Sequence, residues 1–151
     1  MKKFFLLAAA FITTFTVIAQ QKPDDVIKVK TEKYDFGKIK QNEPVTTYFE
    51  ITNISDKPVV VENTWGSCGC TTPDKIVEPI KPHSTIKLKV VYNAAAIAPF
   101  EKDVYVKLAG IQEPKNLKIK GEVLDATAYE AYVKEKGNKS SAKAPAKVTK
   151  S

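Results

Sequence analysis

Between residues 26 and 124 apolar and polar side chains alternate with period two, and this alternation decides what the chain can fold into. Ile27 and Val29 fall on one side of an extended chain, Lys28 and Lys30 on the other. Val45, Thr47, Phe49 and Ile51 alternate with Thr46, Tyr48, Glu50 and Thr52. The same holds for Ile86, Leu88, Val90 and Tyr92, for Val104, Val106 and Leu108, and for Leu117, Ile119 and Val123. Successive side chains of a strand point to opposite faces, so this period predicts half-buried strands with one face on a core. A β-branched run over residues 59–64 predicts a further strand. Turn residues separate these runs: Gln41-Asn42-Glu43-Pro44, residues 53–58, of which 53–57 read as a polar hairpin connection, Lys81-Pro82-His83-Ser84 and residues 110–115. The pattern is that of an all-β, antiparallel domain. Residues 20–124 also match the size of one immunoglobulin-like sandwich. Alternation alone does not separate a sandwich from a barrel.

The two ends of the chain read differently. Residues 1–19 carry Lys2 and Lys3, an apolar run over 4–12, and Val17-Ile18-Ala19 before Gln20. This is the order of a secretory signal peptide, with Thr13, Thr14 and Thr16 interrupting the run that a transmembrane anchor would need. The expectation is cleavage, with no transmembrane segment left afterwards and a periplasmic or secreted destination. Residues 20–25 form a polar lead, residues 125–136 a short helix, and residues 137–151 a Lys, Ala and Ser tail. That tail has too little apolar surface to offset its ordering entropy, which predicts disorder.

Charge bears on partners only once it is located. The formal net charge is +7, with 24 Lys and no Arg. Six Lys face one acid, Glu135, in residues 134–151, and Lys2 and Lys3 sit in the leader; the remainder is balanced. A neutral domain without guanidinium forks lacks the usual means of reading phosphates and bases, so nucleic acid is not the expected partner. The basic tail suits a non-specific contact with an anionic surface.

Trp65-Gly66-Ser67-Cys68-Gly69-Cys70-Thr71-Thr72 is the one local motif with chemistry in it. Cys at i and i+2 on a straight strand lie near the outer limit for a disulfide, and Gly69 permits the tighter turn that would close one. Four roles compete: a structural pair covered by Trp65, a thiol–disulfide exchange site, half of a Cu(I) or Zn site, and an intermolecular link. Exchange sites usually space their cysteines by two residues at a helix start, which is not the pattern here. A metal site would draw on His83, the only other soft ligand left after cleavage, and three ligands fall short of a closed zinc centre. In an oxidising compartment a local Cys68–Cys70 disulfide is the expected state. His83 sits in a turn, where solvent is its default environment. Asn53-Ile54-Ser55 and Asn138-Lys139-Ser140 match the N-glycosylation pattern. Tyr34, Tyr48, Tyr92 and Tyr105 read as packing aromatics, and Asp24-Asp25 as a solvated lead.

Several motifs occur in a fixed order: Tyr34-Asp35-Phe36-Gly37-Lys38-Ile39, Phe49-Glu50-Ile51-Thr52-Asn53, Ser67-Cys68-Gly69-Cys70-Thr71, Pro79-Ile80-Lys81-Pro82 and Ile119-Lys120-Gly121-Glu122-Val123. The series resembles a family of secreted bacterial proteins of unknown function. That family is similar to the immunoglobulin-like domains typified by major sperm protein and the Hydin-type ciliary proteins. The resemblance covers residues 26–124 and implies a sandwich of seven to eight strands in the cell envelope, with no activity attached. One departure is visible: Pro82-His83 stands where Pro-Gly is common, which changes what the turn asks of the backbone and leaves His83 without a family role.

The chain carries no Gly-x-Ser-x-Gly, His-Glu-x-x-His or P-loop pattern, and its single His lies in a turn. Hydrolysis and group transfer are therefore not expected, and neither is a cofactor. The expected function is a non-enzymatic binding or scaffold module with an envelope protein as partner. The competing expectation is a thiol-based carrier of Cu(I) or Zn, or a redox protein, using Cys68 and Cys70.

Overall fold

Eight strands form in a computed structural model that describes residues 21–141, six of them over the runs read as strands from the sequence and two more over residues 33–40 and 71–73. They are β1 (Ile27–Val29), β2 (Lys33–Lys40), β3 (Val45–Asn53), β4 (Val61–Gly66), β5 (Thr71–Pro73), β6 (Thr85–Tyr92), β7 (Pro99–Leu108) and β8 (Lys115–Leu124), followed by helix α1 (Ala126–Ser141). Two four-stranded sheets result, ordered β1-β3-β6-β5 and β2-β8-β7-β4. Their inner faces carry the apolar half of each alternation. Phe49, Ile51, Leu88 and Val90 from the first sheet are buried, as are Val104, Val106, Leu108, Leu117 and Ile119 from the second. Tyr92 and Phe100 stack across the layers with ring centroids 4.0 Å apart. This is an immunoglobulin-like sandwich.

The register corrects three details of the sequence reading. The first is direction: β2 runs parallel to β8, pairing Lys33 with Lys118 and Lys40 with Leu124, while every other pairing between named strands is antiparallel. The chain leaves the first sheet after β1 and enters the second as β2, and that switch sets the direction. The second is the segment after β3, which is no hairpin. β3 and β4 belong to different sheets, so residues 54–60 cross between layers. The crossing hangs on Asn53, a fully buried side chain. Its amide nitrogen donates to the carbonyls of Lys57 (2.8 Å) and Ile80 (2.9 Å), and its oxygen accepts from the Ser55 amide (2.9 Å) and hydroxyl (2.8 Å). An amide held in this way is not open to a glycan. The third is the helix, which runs through Gly137 to Ser141, into the stretch read as tail. A glycine inside a helix costs only about 1 kcal/mol, and no proline stands before Pro145. Asp125 caps its start by accepting from the Ala128 amide at 2.8 Å. The predicted signal peptide, residues 1–19, and the tail beyond residue 141 lie outside the described residues.

Two glycines, Gly37 and Gly121, shape the β2–β8 pairing. Gly37 has φ +67 and sits where the β2–β8 register shifts, a bulge that Asp35 supports by accepting from the Gly37 amide at 2.8 Å. A Cβ on Gly121 would meet the Gly37 carbonyl oxygen at 2.8 Å and the Phe100 ring at 2.9 Å. The lead segment is solvated as its composition implies, with Lys22, Asp24 and Asp25 exposed, yet it is anchored. Lys115 is buried and pairs with both Asp24 and Glu32, which ties residues 24–32 to the start of β8.

Candidate functional site

The Cys loop is the passage from one sheet to the other. β4 closes in the second sheet at Gly66, and β5 opens in the first at Thr71. The four residues between are fixed at both ends. The Ser67 amide donates to the Asp103 carbonyl (2.9 Å) and the Asp103 amide donates to Ser67 Oγ (3.1 Å), which anchors the loop on β7. At the far end the Asn93 amide donates to the Cys70 carbonyl (3.0 Å), and the Thr71 amide turns back to the Cys68 carbonyl (3.2 Å). Gly66 lies so close to Thr71 that an added Cβ would stand 2.2 Å from its carbonyl oxygen, so only glycine fits there.

Within this frame Cys68 and Cys70 are joined by a disulfide, their Cα atoms 5.2 Å apart. Both residues are half-buried, and Cys70 packs against the core. The Thr71 hydroxyl, on a buried residue, lies 3.7 Å from Cys68 Sγ and 3.8 Å from Cys70 Sγ. Neither bonded sulfur carries a proton, so the hydroxyl is the donor. Gly69 stands at the crest in open space. Trp65, expected as an apolar lid for the sulfurs, has its ring stacked on Tyr105 at 5.3 Å on the outer face of β4 and β7.

His83 lies at the other end of the sandwich. β6 separates the two places: its first residue, Thr85, follows the His83 turn, and its last, Tyr92, pairs with Thr71. Eight residues of strand span roughly 25 Å. The three residues named from sequence as a metal set are thus not brought together. Among the described residues no group of three or more His, Cys, Asp or Glu side chains converges. His83 Nε2 is 3.0 Å from Asp56 Oδ1, with both side chains mostly in solvent. The nearby hydroxyls are committed elsewhere, Ser84 to the Lys81 carbonyl and Ser55 to Asn53 and Lys57, so the pair does not activate a serine. The turn also keeps the backbone that Pro-Gly would have. His83 has φ 55, so the expectation of a changed backbone requirement is corrected: the requirement is unchanged and histidine meets it.

A second feature escaped the sequence reading. At the His83 end, Val26, Pro58, Val59, Val60, Leu108, Ala109 and Ile111 line a groove of ≈ 520 Å³, with Gln21, Ser55, Asp56 and Lys57 also contributing. Val60 remains 45% exposed beside it. The available signal was the unbroken run Pro58-Val59-Val60-Val61, where alternation fails and one apolar face must point outward. The outer face of the second sheet, away from the Trp65–Tyr105 stack, is polar by contrast. Lys33–Glu101 (2.9 Å), Lys118–Asp103 (2.7 Å) and Lys120–Asp35 (3.0 Å) form a cross-strand ladder of ion pairs.

Fold and site together define an immunoglobulin-like β-sandwich with a disulfide at its sheet crossover. The chain belongs to the family described as protein of unknown function (DUF1573), whose pattern matches residues 27–123. No curated protein matches the chain in sequence. Among solved structures it is similar to a protein of unknown function from Porphyromonas gingivalis W83, at 17% identity and TM-score 0.57, covering 64% of this chain and 46% of that one. It is also similar to the ASH/PapD-like domain 7 of human CEP192, at 9% identity and TM-score 0.53, covering 83% and 98% of the two chains. The secreted serine protease VesC of Vibrio cholerae shares 12% identity and a TM-score of 0.53 over 67% of this chain. The chain spans 46% of the Porphyromonas protein and 24% of the protease. At such identities the likeness is one of fold.

Proposed function

We propose that the chain is an exported, non-enzymatic binding module of a bacterial cell envelope, periplasmic or secreted, that holds a protein partner. The observation that carries this is the apolar groove at the end of the sandwich, a concave surface of about the size ligand sites take, with an aliphatic side chain exposed beside it. A sandwich offers its end loops and strand edges for such contacts. Export rests on the Lys2-Lys3 start, the apolar run and the Val17-x-Ala19 ending. Residues 134–151, with six Lys against Glu135, supply a basic arm for anionic surfaces. No cofactor and no nucleic acid enter this reading. Hydrolysis does not either: the His83–Asp56 pair is exposed and lacks a hydroxyl to activate.

The test is recovery of a stoichiometric partner from envelope extracts with the full chain as bait. The partner should survive in the Cys68→Ser, Cys70→Ser double variant. Val60→Glu, which puts a charge beside the groove, should weaken it about tenfold or more. A partner bound equally well by Val60→Glu, or no stoichiometric partner at all, overturns the proposal.

A further inference from the structure

We infer that the Cys68–Cys70 disulfide is a reversible thiol–disulfide exchange site, which accepts two electrons from a dithiol of a partner protein. The first support is what the bond does not do. Its ring encloses one residue, Gly69, so closing it removes little entropy from the unfolded chain. The loop that holds it is already fixed by backbone hydrogen bonds at Ser67, Cys68 and Cys70 and by the Gly66–Thr71 contact. None of these contacts runs through the sulfurs, so the fold has the means to hold both redox states, as a working couple requires.

The second support is placement. Both sulfurs are half-buried rather than enclosed, and Gly69 over them faces open space, which leaves room for an incoming thiolate. Cys70 packs on the core and Cys68 does not, which makes Cys68 the sulfur attacked and Cys70 the leaving one. The third support is Thr71. Its hydroxyl, on a buried residue, is within hydrogen-bonding reach of both sulfurs and can turn its one proton to either. A neutral disulfide sulfur is a weak acceptor and a thiolate a strong one, so this bond strengthens as the S–S bond breaks.

The exchange runs in two steps. A partner thiolate attacks Cys68 Sγ, a mixed disulfide forms, and the electron pair of the broken bond leaves on Cys70 Sγ beside the Thr71 hydroxyl. The partner's second thiolate then attacks its own sulfur in the mixed disulfide and releases Cys68. The partner's dithiol becomes a disulfide, and Cys68 and Cys70 take up two electrons and two protons.

Reduced glutathione and dithiothreitol serve as probes on the full chain, with thiols counted by alkylation and intact mass. Both thiols should appear together in the native protein while the β-sheet circular dichroism is unchanged. Cys70→Ser, given oxidised glutathione, should form a mixed disulfide through Cys68 and release one reduced glutathione. Thr71→Val should slow native reduction about tenfold, the size expected for losing a hydrogen bond to a charged group, and Thr71→Ser should restore it. In denaturant the Thr71→Val and unsubstituted chains should react alike, which separates an effect on the exchange from one on folding. A bond that opens only on unfolding, or a native rate indifferent to the Thr71 hydroxyl, overturns the inference. Neither readout depends on the groove partner.

Discussion

His83 shows how a single side chain can bear a conformational cost that its surroundings do not offset. In the Lys81–Ser84 turn the Ser84 amide donates to the Lys81 carbonyl at 3.1 Å, and Pro82 fixes the preceding dihedral. Of the turns open to a proline at this position, the chain takes the one with a positive φ at the next residue, His83, at 55. The left-handed region costs an L-residue roughly 1–2 kcal/mol, and glycine nothing comparable. The exposed pair with Asp56 is worth little in return. His83→Gly gives back some stability through the freer unfolded chain, about 0.4–1 kcal/mol. The net expectation is a gain of about 0.5 kcal/mol and a melting temperature about 2–4 °C higher, read by thermal denaturation. A lower melting temperature would show that the Asp56 contact matters more than its exposure suggests. The odd dipeptide was visible in the sequence; the backbone it adopts was not. Asn53 was legible only as a turn former, because local pattern carries no record of the Ile80 carbonyl that arrives from 27 residues away.

Among the elements, the ladder across β2, β8 and β7 holds three carboxylates with depressed pKa values, Asp35, Glu101 and Asp103. Asp35 is held below the usual carboxylate range by the Gly37 amide first and Lys120 second. Lys118 does the same for Asp103, and Lys33 for Glu101; on the other sheet Lys30 does so for Glu50. A carboxylate whose pKa is depressed on folding stabilises the fold above its unfolded value, 3.8 for Asp and 4.5 for Glu. That contribution disappears as pH falls through the lowered folded value. Lys115 is moved by opposing causes: burial pulls its pKa down, and the ion pairs with Asp24 and Glu32 outweigh this, so its net shift is upward. Its contribution is lost only as pH rises beyond 10.5. The melting temperature should therefore be nearly flat between about pH 5 and 10 and decline below about pH 4, with the decline shallower in high salt. A melting temperature that holds to pH 2 would mean that these pairs are solvated equally in both states. The strands themselves were legible because burying one face forces a period of two. Which sheet each strand joins was not, since period two is the same in either layer. Hence residues 53–57 read as a hairpin connection and the parallel β2–β8 pair went unseen.

For the whole molecule, the disulfide is a small term in stability. A ring of three residues from Cys68 to Cys70 gives at most about 1.6 kcal/mol in the loop-closure account. The double Cys68→Ser, Cys70→Ser variant should keep its β-sheet circular dichroism and lose only a few degrees in melting temperature. A drop beyond ~10 °C would assign the sulfurs to the core, against their half-buried setting. The motif was plain in the sequence, but its place at the crossing between layers depends on β7, Asn93 and Gly66 meeting in three dimensions. The direction of β2 has a mechanical meaning as well. The chain enters that strand at Lys33 and leaves its neighbour β8 at Leu124, at opposite ends of one ladder. Tension applied between entry and exit pulls the two strands lengthwise past one another, so their evenly spaced hydrogen bonds share the load at once instead of parting one by one, as they would in a hairpin pulled open from its ends.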